Sequence, residues 1–324
     1  MANYLVTGGA GFIGSHLADA LLARGHTVRV ADSLITGFRR NVPAGAEFVE
    51  GDLADLSVAR RAAHGMDYVL HQAAIPSVPR SVQDPVESNR ANIDATLSVL
   101  VAARDAGVKR LVFAGSSSVY GDTPILPKRE DMPPNPQSPY ALQKLVGEQY
   151  CQMFTRLYGL ETVVTRYFNV FGPRQNPGSP YSGVISLFIN ALLNDRTPII
   201  HGDGGQTRDF TYVSNVVDGV LRAASTPGVA GEAFNIATSG RVSLNELLEV
   251  LKRLMESTIV PAYSDARSGD VRDSQADIGK AAARLGYRPN VTLDDGLRHT
   301  VAWFRASAGA PVDAATPTGM RPSS

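Results

Sequence analysis

A tyrosine and a lysine, Tyr140 and Lys144, stand four residues apart in the stretch SPYALQK, just after Pro136 and Pro139. In a helix, positions i and i+4 share a face, so a phenol and an ammonium project together. A free phenol ionises near pH 10. To act as a base at neutral pH it needs a depression of about three units, or about 4 kcal/mol of phenolate stabilisation. A neighbouring ammonium and the positive ring of an oxidised nicotinamide are both suitable sources. Upstream, FAGSSSVYGD puts Ser116, Ser117 and Ser118 at the end of an apolar run. A hydroxyl there can relay a proton between a substrate hydroxyl and the phenolate.

These groups need a frame to hold them. Apolar runs at 4–7, 27–31, 47–50, 68–72, 110–114 and 162–167 alternate with helical patterns such as 12–23, 90–106 and 140–158. Near-continuous apolar strands separated by helices predict an α/β fold, a parallel sheet covered on both faces. Ligands bind such a sheet at the carboxyl ends of its strands, where the serines fall. Past Asn169 the alternation fades. The segment 171–183, FGPRQNPGSPYSG, reads as a long functional loop. Helical patterns return at 184–194, 213–224 and 244–255, and the small, polar, proline-bearing stretch 305–324 reads as a disordered tail.

The first strand leads into TGGAGFIGSH, with Gly8, Gly11 and Gly14 at a strand-turn-helix junction. The first glycine permits a tight turn, the second lets backbone approach a pyrophosphate, and the third allows close helix packing. Amides at the helix N-terminus then face the phosphates. Asp32 follows at the end of the second strand, where a carboxylate binds a ribose diol and repels a 2′-phosphate. That favours NAD over NADP, although Arg39 and Arg40 further on pull the other way. Asp52, ending the third strand, is a candidate adenine contact.

Composition narrows the partners. Lys plus Arg and Asp plus Glu number 31 each, giving no electrostatic case for nucleic acid or an anionic membrane. The one cysteine, Cys151, allows no internal disulfide and sits in a helical pattern, as a buried structural thiol would. Six histidines lack metal-ligand spacing, so no metal is expected. No apolar run reaches the ~18 residues that span a bilayer. With a strand beginning almost at once, no signal peptide is expected, and the protein should be cytoplasmic.

Taken together, TGGAGFIGSH, HQAA at 71–74, SSSVYGD, SPYALQK and RYFNVFGPRQNP resemble the extended short-chain dehydrogenase/reductase family. Within it the chain is similar to nucleotide-sugar 4-epimerases, from Asn3 to about Phe304. SPYSGVIS and RSGDVRDSQAD at 267–277 make it most similar to bacterial UDP-N-acetylglucosamine 4-epimerases. The resemblance implies a Rossmann-type domain over 1–168, which also receives about 207–237. It implies a smaller, discontinuous substrate-binding lobe from 169–206 and 238–304. A tightly held NAD, a UDP-sugar substrate and a homodimer joined through two long helices are also implied.

By the same resemblance Tyr140 is the base, supported by Lys144, with Ser116 as catalytic serine and Ser117 beside it. Phe12, Ile13, Leu53 and Ala73 join the glycines, Asp32 and Asp52 at the cofactor. Ser77, Asn169, Gln175, Gly183, Arg208, Arg267 and Asp270 fall to the UDP-sugar. Ser274 lies against the sugar's C2 substituent, where a small residue leaves room for an N-acetyl group. Capping the helical run QADIGKAAARL is the alternative role for Ser274. Dehydratases of this fold carry an Asp-Glu pair where this chain has Ser117 and Ser118, and decarboxylases carry a glutamate. UDP-glucuronate epimerases tend to carry an arginine where this chain has Asn176. Neutral-sugar epimerisation therefore ranks above those reactions. A non-catalytic dinucleotide sensor, commonly without the Tyr and Lys pair, ranks below them.

Overall fold

The computed structural model describes residues 1–176, 183–265 and 271–307. Within them the apolar runs become β1 (Asn3–Thr7), β2 (Thr27–Asp32), β3 (Glu47–Glu50), β4 (Tyr68–His71), β5 (Arg110–Ser116) and β6 (Glu161–Tyr167). A later strand, β7 (Ala233–Ile236), joins them in one all-parallel sheet ordered β7-β6-β5-β4-β1-β2-β3. The chain winds outward from β1 through β2 and β3, then returns to the other side through β4. That reversal opens a crevice at the carboxyl ends of β1 and β4, where doubly wound sheets bind ligands.

The helices are α1 (Phe12–Ala23), α2 (Leu56–Ala63), α3 (Val78–Gln83), α4 (Pro85–Asn89), α5 (Ala95–Asp105) and α6 (Pro139–Tyr158). Beyond them come α7 (Val184–Leu193), α8 (Val213–Ser225), α9 (Leu244–Met255), α10 (Gly279–Leu285) and α11 (Leu293–Ser307). One sheet face packs on Leu17 and Leu21 of α1 and Val216 and Val220 of α8. The other packs on Ala59 and Ala62 of α2, Val99 and Leu100 of α5, and Cys151 and Phe154 of α6. A third core gathers Phe171, Ile185, Phe188, Leu247, Leu251, Leu297 and Phe304 beside the sheet. Cys151 is fully buried in the core between the sheet and α6, as a structural thiol.

Four details depart from the sequence reading. Residues Arg90–Asp94 wind as a π-helical turn ahead of α5, not as part of one straight helix. The turn brings Asn92 inward, where its Oδ1 accepts the Ile75 N–H at 2.8 Å. Phe171 lies in a short strand, Val170–Phe171, paired with Thr211–Tyr212. Helix α11 continues through Ser307, anchored by buried Val301 and Phe304. Ser274 caps no helix: α10 begins at Gly279 with Ile278 at its N-cap. Arg267, Asp270, residues 177–182 of the expected loop and residues 308–324 of the expected tail lie outside the described residues.

Helix α6 decides where the chemistry sits. Ser138 caps it, its Oγ accepting the Ala141 N–H at 3.2 Å, and Pro139 takes the first turn, where no backbone donor is needed. Gly159 closes it in the left-handed conformation, with φ 72°. Its buried stripe holds Ala141, Lys144, Gly147, Glu148 and Cys151. At Gly147 a Cβ would stand 2.5 Å from the Phe113 ring, so only glycine lets α6 lie this close to β5. Buried Arg166 of β6 binds Glu148 at 2.5 Å and fastens the helix from below. Removing either partner would strand a buried charge, at a cost of about 3–5 kcal/mol.

Candidate active site

The crevice between β1 and β4 is made of backbone. Gly8 has φ +66°, and a Cβ there would lie 2.7 Å from the Ala73 nitrogen. A Cβ on Gly14 would overlap the Gly8 carbonyl. Neither position tolerates a side chain, so the turn stays open for a ligand to approach along the N-terminus of α1, which carries no side-chain cap. Asp32, 7% exposed, folds over this turn: Oδ2 accepts the Ala10 N–H at 3.0 Å and Oδ1 the Leu34 N–H at 2.8 Å. Burial pushes its carboxyl up, and these N–H bonds pull it back. Each oxygen keeps a lone pair for a ribose hydroxyl. The glycine cradle, the free helix amides and this carboxylate together fit a dinucleotide.

Other expected cofactor residues frame the same edge. Phe12 and Ile13 begin α1. Asp52 accepts from the Ala54 N–H at 2.9 Å and pairs with exposed Arg90 at 2.7 Å, while Leu53 is buried beside it. Ala73 donates its N–H to Thr7 Oγ1 at 3.2 Å. His71 lies buried between Thr7 and Thr96, at 2.7 and 3.1 Å, and burial lowers its pKa to about 3. It is therefore a neutral structural strut, not an acid or base.

Across the crevice, β5 and α6 bring Ser116, Tyr140 and Lys144 together. Ser116 ends β5, two residues beyond the expected strand, where it pairs with Tyr167 of β6. Its hydroxyl lies near the Tyr140 phenol and favours the ionised form. The Tyr140 backbone N–H donates to Ser81 Oγ of α3 at 3.0 Å, tying the first turn of α6 in place. Lys144, 5% exposed, donates from Nζ to the Ala114 carbonyl at 2.8 Å. Its ammonium lies 6.0 Å from the Tyr140 ring centre and 5.0 Å from that of Phe113.

The electrostatics differ from the simple expectation. Burial pushes the Tyr140 phenol above its usual value, and the Ser116 hydroxyl opposes that push. Lys144 is spent on Ala114, and burial lowers its own pKa to about 8. The protein's ammonium alone does not pull the phenol down. Ser117 opens the short turn Ser117–Tyr120, and among the described residues no side-chain hydrogen bond joins it to the cluster. Sequence reasoning missed the role of Ser81, three residues into α3, and the use of Ser118 by Ser116. Spacing within a single element gives no sign of either.

The residues expected at the substrate are spread between the α3 cap and the elements beyond β6. Asn169, with φ 35°, and Arg208 line a cavity of about 560 Å³ floored by Leu187, Phe188 and Leu244. Arg208 Nη1 donates to the Thr207 and Arg272 carbonyls, both at 2.9 Å. Gln175 accepts from Ser186 Oγ at 2.7 Å, and Gly183 caps α7 beside it. Ser77, 8% exposed, caps α3 by accepting the Arg80 N–H at 3.1 Å. Ser274 donates its N–H to the Thr207 carbonyl at 3.1 Å, next to Arg208. A larger cleft of about 670 Å³ lies among Arg129, Glu148, Arg166 and Lys280. None of the Ser116–Tyr140–Lys144 cluster lines it, and its arginines and lysine are matched by carboxylates.

A doubly wound sheet with a glycine cradle, an acidic β2 terminus and a Ser–Tyr–Lys set defines a dinucleotide-dependent enzyme of the short-chain dehydrogenase/reductase type. The match to a family model is specific: residues 4–237 fit the NAD dependent epimerase/dehydratase family, and the chain belongs to it. It is 41% identical to a UDP-glucose 4-epimerase of Mycolicibacterium smegmatis, over 93% of this chain and 98% of that one. A crystal structure of the Thermotoga maritima UDP-glucose 4-epimerase with UDP-glucose superposes with a TM-score of 0.91 at 39% identity, covering 94% and 99% of the two chains. A UDP-N-acetylglucosamine 4-epimerase from Methanobrevibacter ruminantium, in complex with UDP-N-acetylmuramic acid, gives 0.90 at 39% identity over the same shares.

Proposed function

We propose that the protein is an NAD-dependent 4-epimerase of a UDP-hexose, acting through a 4-keto sugar. One observation carries this reading: a half-buried serine and phenol and a buried ammonium are gathered at the carboxyl edge of the sheet, while positions 117 and 118 hold hydroxyls and no carboxyl. Family membership supports NAD, and the relatives' UDP-sugars support the substrate class.

Bound NAD supplies the hydride acceptor and donor for the sugar C4. Tyr140 removes the 4-hydroxyl proton and later returns it. Lys144, its pKa about 8, is mostly charged at neutral pH and stands 6.0 Å from the centre of the Tyr140 ring. Asn169 and Arg208 hold the UDP moiety from the 560 Å³ cavity, with Arg267 and Asp270 as further contacts. A guanidinium suits the diphosphate through charge-assisted hydrogen bonds. Eliminating water or carbon dioxide would need an acid or base acting beyond C4. Serine hydroxyls at 117 and 118 cannot titrate near neutrality to provide one. Ser274, half-buried beside Arg208, leaves space for an N-acetyl group, so both acetylated and plain hexoses enter.

The division into a 1–168 cofactor domain, with 207–237 added, and a lobe from 169–206 and 238–304 belongs to the same proposal. So does a cytoplasmic homodimer. In its support, Leu142, Met153 and Leu157 form an exposed apolar stripe along α6. The function is tested by incubating purified protein, without added cofactor, with UDP-glucose, UDP-N-acetylglucosamine and UDP-glucuronate, then separating C4 epimers chromatographically. The first two should interconvert with their galacto forms and the third should not. A keto-deoxy or pentose product, or no product from any of them, would contradict the reading.

A further inference from the structure

A serine hydroxyl has one proton and two lone pairs to distribute. On Ser116 both lone pairs are taken from the turn that follows. The Ser118 N–H donates to Ser116 Oγ at 3.2 Å, and Ser118 Oγ–H donates to the same atom at 2.9 Å. That turn is anchored: Val119 and Tyr120 are buried, and the Tyr120 hydroxyl donates to Asn235 Oδ1 at 2.7 Å. The single proton left on Ser116 is free to turn to the nearby Tyr140 oxygen, whose ionised form Ser116 favours.

We propose that Ser118 is a positioning residue that fixes the hydroxyl chain in one direction, Ser118 to Ser116 to Tyr140. Ser116 then donates to the phenolate, and Tyr140 takes the substrate proton directly. The inference rests on the epimerase reading, with Tyr140 as base. In the oxidative step the sugar O–H bond breaks and its proton goes to the Tyr140 oxygen. The C4 hydrogen leaves with its bonding pair as hydride to the NAD, the O–H pair left on oxygen closes the C4 ketone, and the Ser116 and Ser118 protons stay on their own oxygens. A relay through Ser116 would instead need one of its lone pairs to accept the sugar hydroxyl, and Ser118 Oγ would have to let go.

The groups around the phenol are few. Lys144 presents its ammonium from the same helix, 6.0 Å from the ring centre. Strand β5 presents Ser116 and the Ala114 carbonyl, which holds Lys144. Helix α3 presents Ser81, which takes the backbone N–H of Tyr140. Among the described residues no carboxylate acts on the phenol. Hydrogen bonds in a chain polarise one another, so a Ser116 that accepts from Ser118 is the stronger donor to a phenolate.

Ser118→Ala removes the hydroxyl but keeps the N–H that closes the turn. The Tyr140 titration is read by ultraviolet difference absorbance against Tyr140→Phe, and the acid limb of kcat is read with UDP-sugar. In Ser118→Ala both should move up by about half a pH unit, with KM and Tm unchanged. Ser118→Thr, which restores a hydroxyl, should return both to the wild-type positions. Proton inventory in mixed light and heavy water should be linear, as for one proton in flight. A midpoint unmoved in Ser118→Ala, an equal displacement in Ser118→Thr, or a bowed inventory would overturn the inference. Wild-type protein that converts no UDP-sugar would bring down the epimerase reading instead, and the absorbance titration would still decide the role of Ser118.

Discussion

At the carboxyl edge of the sheet, backbone meets backbone; in the smaller lobe, side chains hold one another. Gly8 sits against the Ala73 backbone, and Gly14 leaves no room before the Gly8 carbonyl. Among the described residues, Gly183 faces the movable end of Gln175, and Gln175 is held by Ser186. The cofactor edge is thus fixed by where side chains are forbidden, and the lobe by which side chains are chosen. The first arrangement suits a ligand common to many reactions. The second leaves the substrate open to change by point substitution.

The largest break in this picture should come from neither region but from the atom between them. Tyr140→Phe removes only the phenolic oxygen, so turnover should fall by about 10³-fold while Tm and NAD retention stay put. Near-normal turnover of UDP-sugars by the purified variant would remove Tyr140 from the mechanism. The contrast itself is sharpened by a pair of alanines. Gly14→Ala drives a Cβ into backbone and should cost about 1–3 kcal/mol in urea unfolding, with weakened cofactor binding. Gly183→Ala would meet Gln175 Nε2 at 3.0 Å, and that amide can swing away, so it should stay within about 0.5 kcal/mol. Similar losses at both sites would end the distinction.

A pH-dependent effect is expected at Lys144, a buried cation. Its pKa of about 8 in the folded chain lies below the ~10.4 of a free lysine, so the unfolded chain binds more protons between those values. Wild-type stability should therefore gain from Lys144 as pH rises through that window, and its penalty is fully present below about pH 8. Lys144→Met abolishes this term. Urea melts of cofactor-free protein should show the variant's stability advantage shrinking from pH 7 to pH 10. A difference between the two proteins that does not change with pH would refute the buried-cation account.

How much of this was legible in the chain follows the same contrast. Alternating apolar runs and spaced glycines are short-range signals, so the sheet, the α1 turn, Asp32 and the face shared by Tyr140 and Lys144 could be read directly. The direction in which Lys144 is used could not. Its carbonyl partner, Ala114, is thirty residues away and comes into reach only because Gly147 lets α6 close on Phe113. The inward turn of Asn92 depends on one π-helical winding, which hydrophobic periodicity cannot register. The alternative role for Ser274, a helix cap, came from a serine preceding a helical run. Pairing of its segment with Thr207 and Lys128 holds residues 273–277 extended and delays α10 to Gly279.

The central claim is that oxidation and reduction occur at one carbon with nothing eliminated. UDP-glucose carrying deuterium at C4 tests it most directly, with the product analysed by NMR and mass spectrometry after incubation in ordinary water. The account predicts UDP-galactose that keeps its deuterium at C4, and no solvent deuterium at C5 when unlabelled substrate is run in heavy water. Label washed out of C4, or solvent deuterium entering C5, would contradict it.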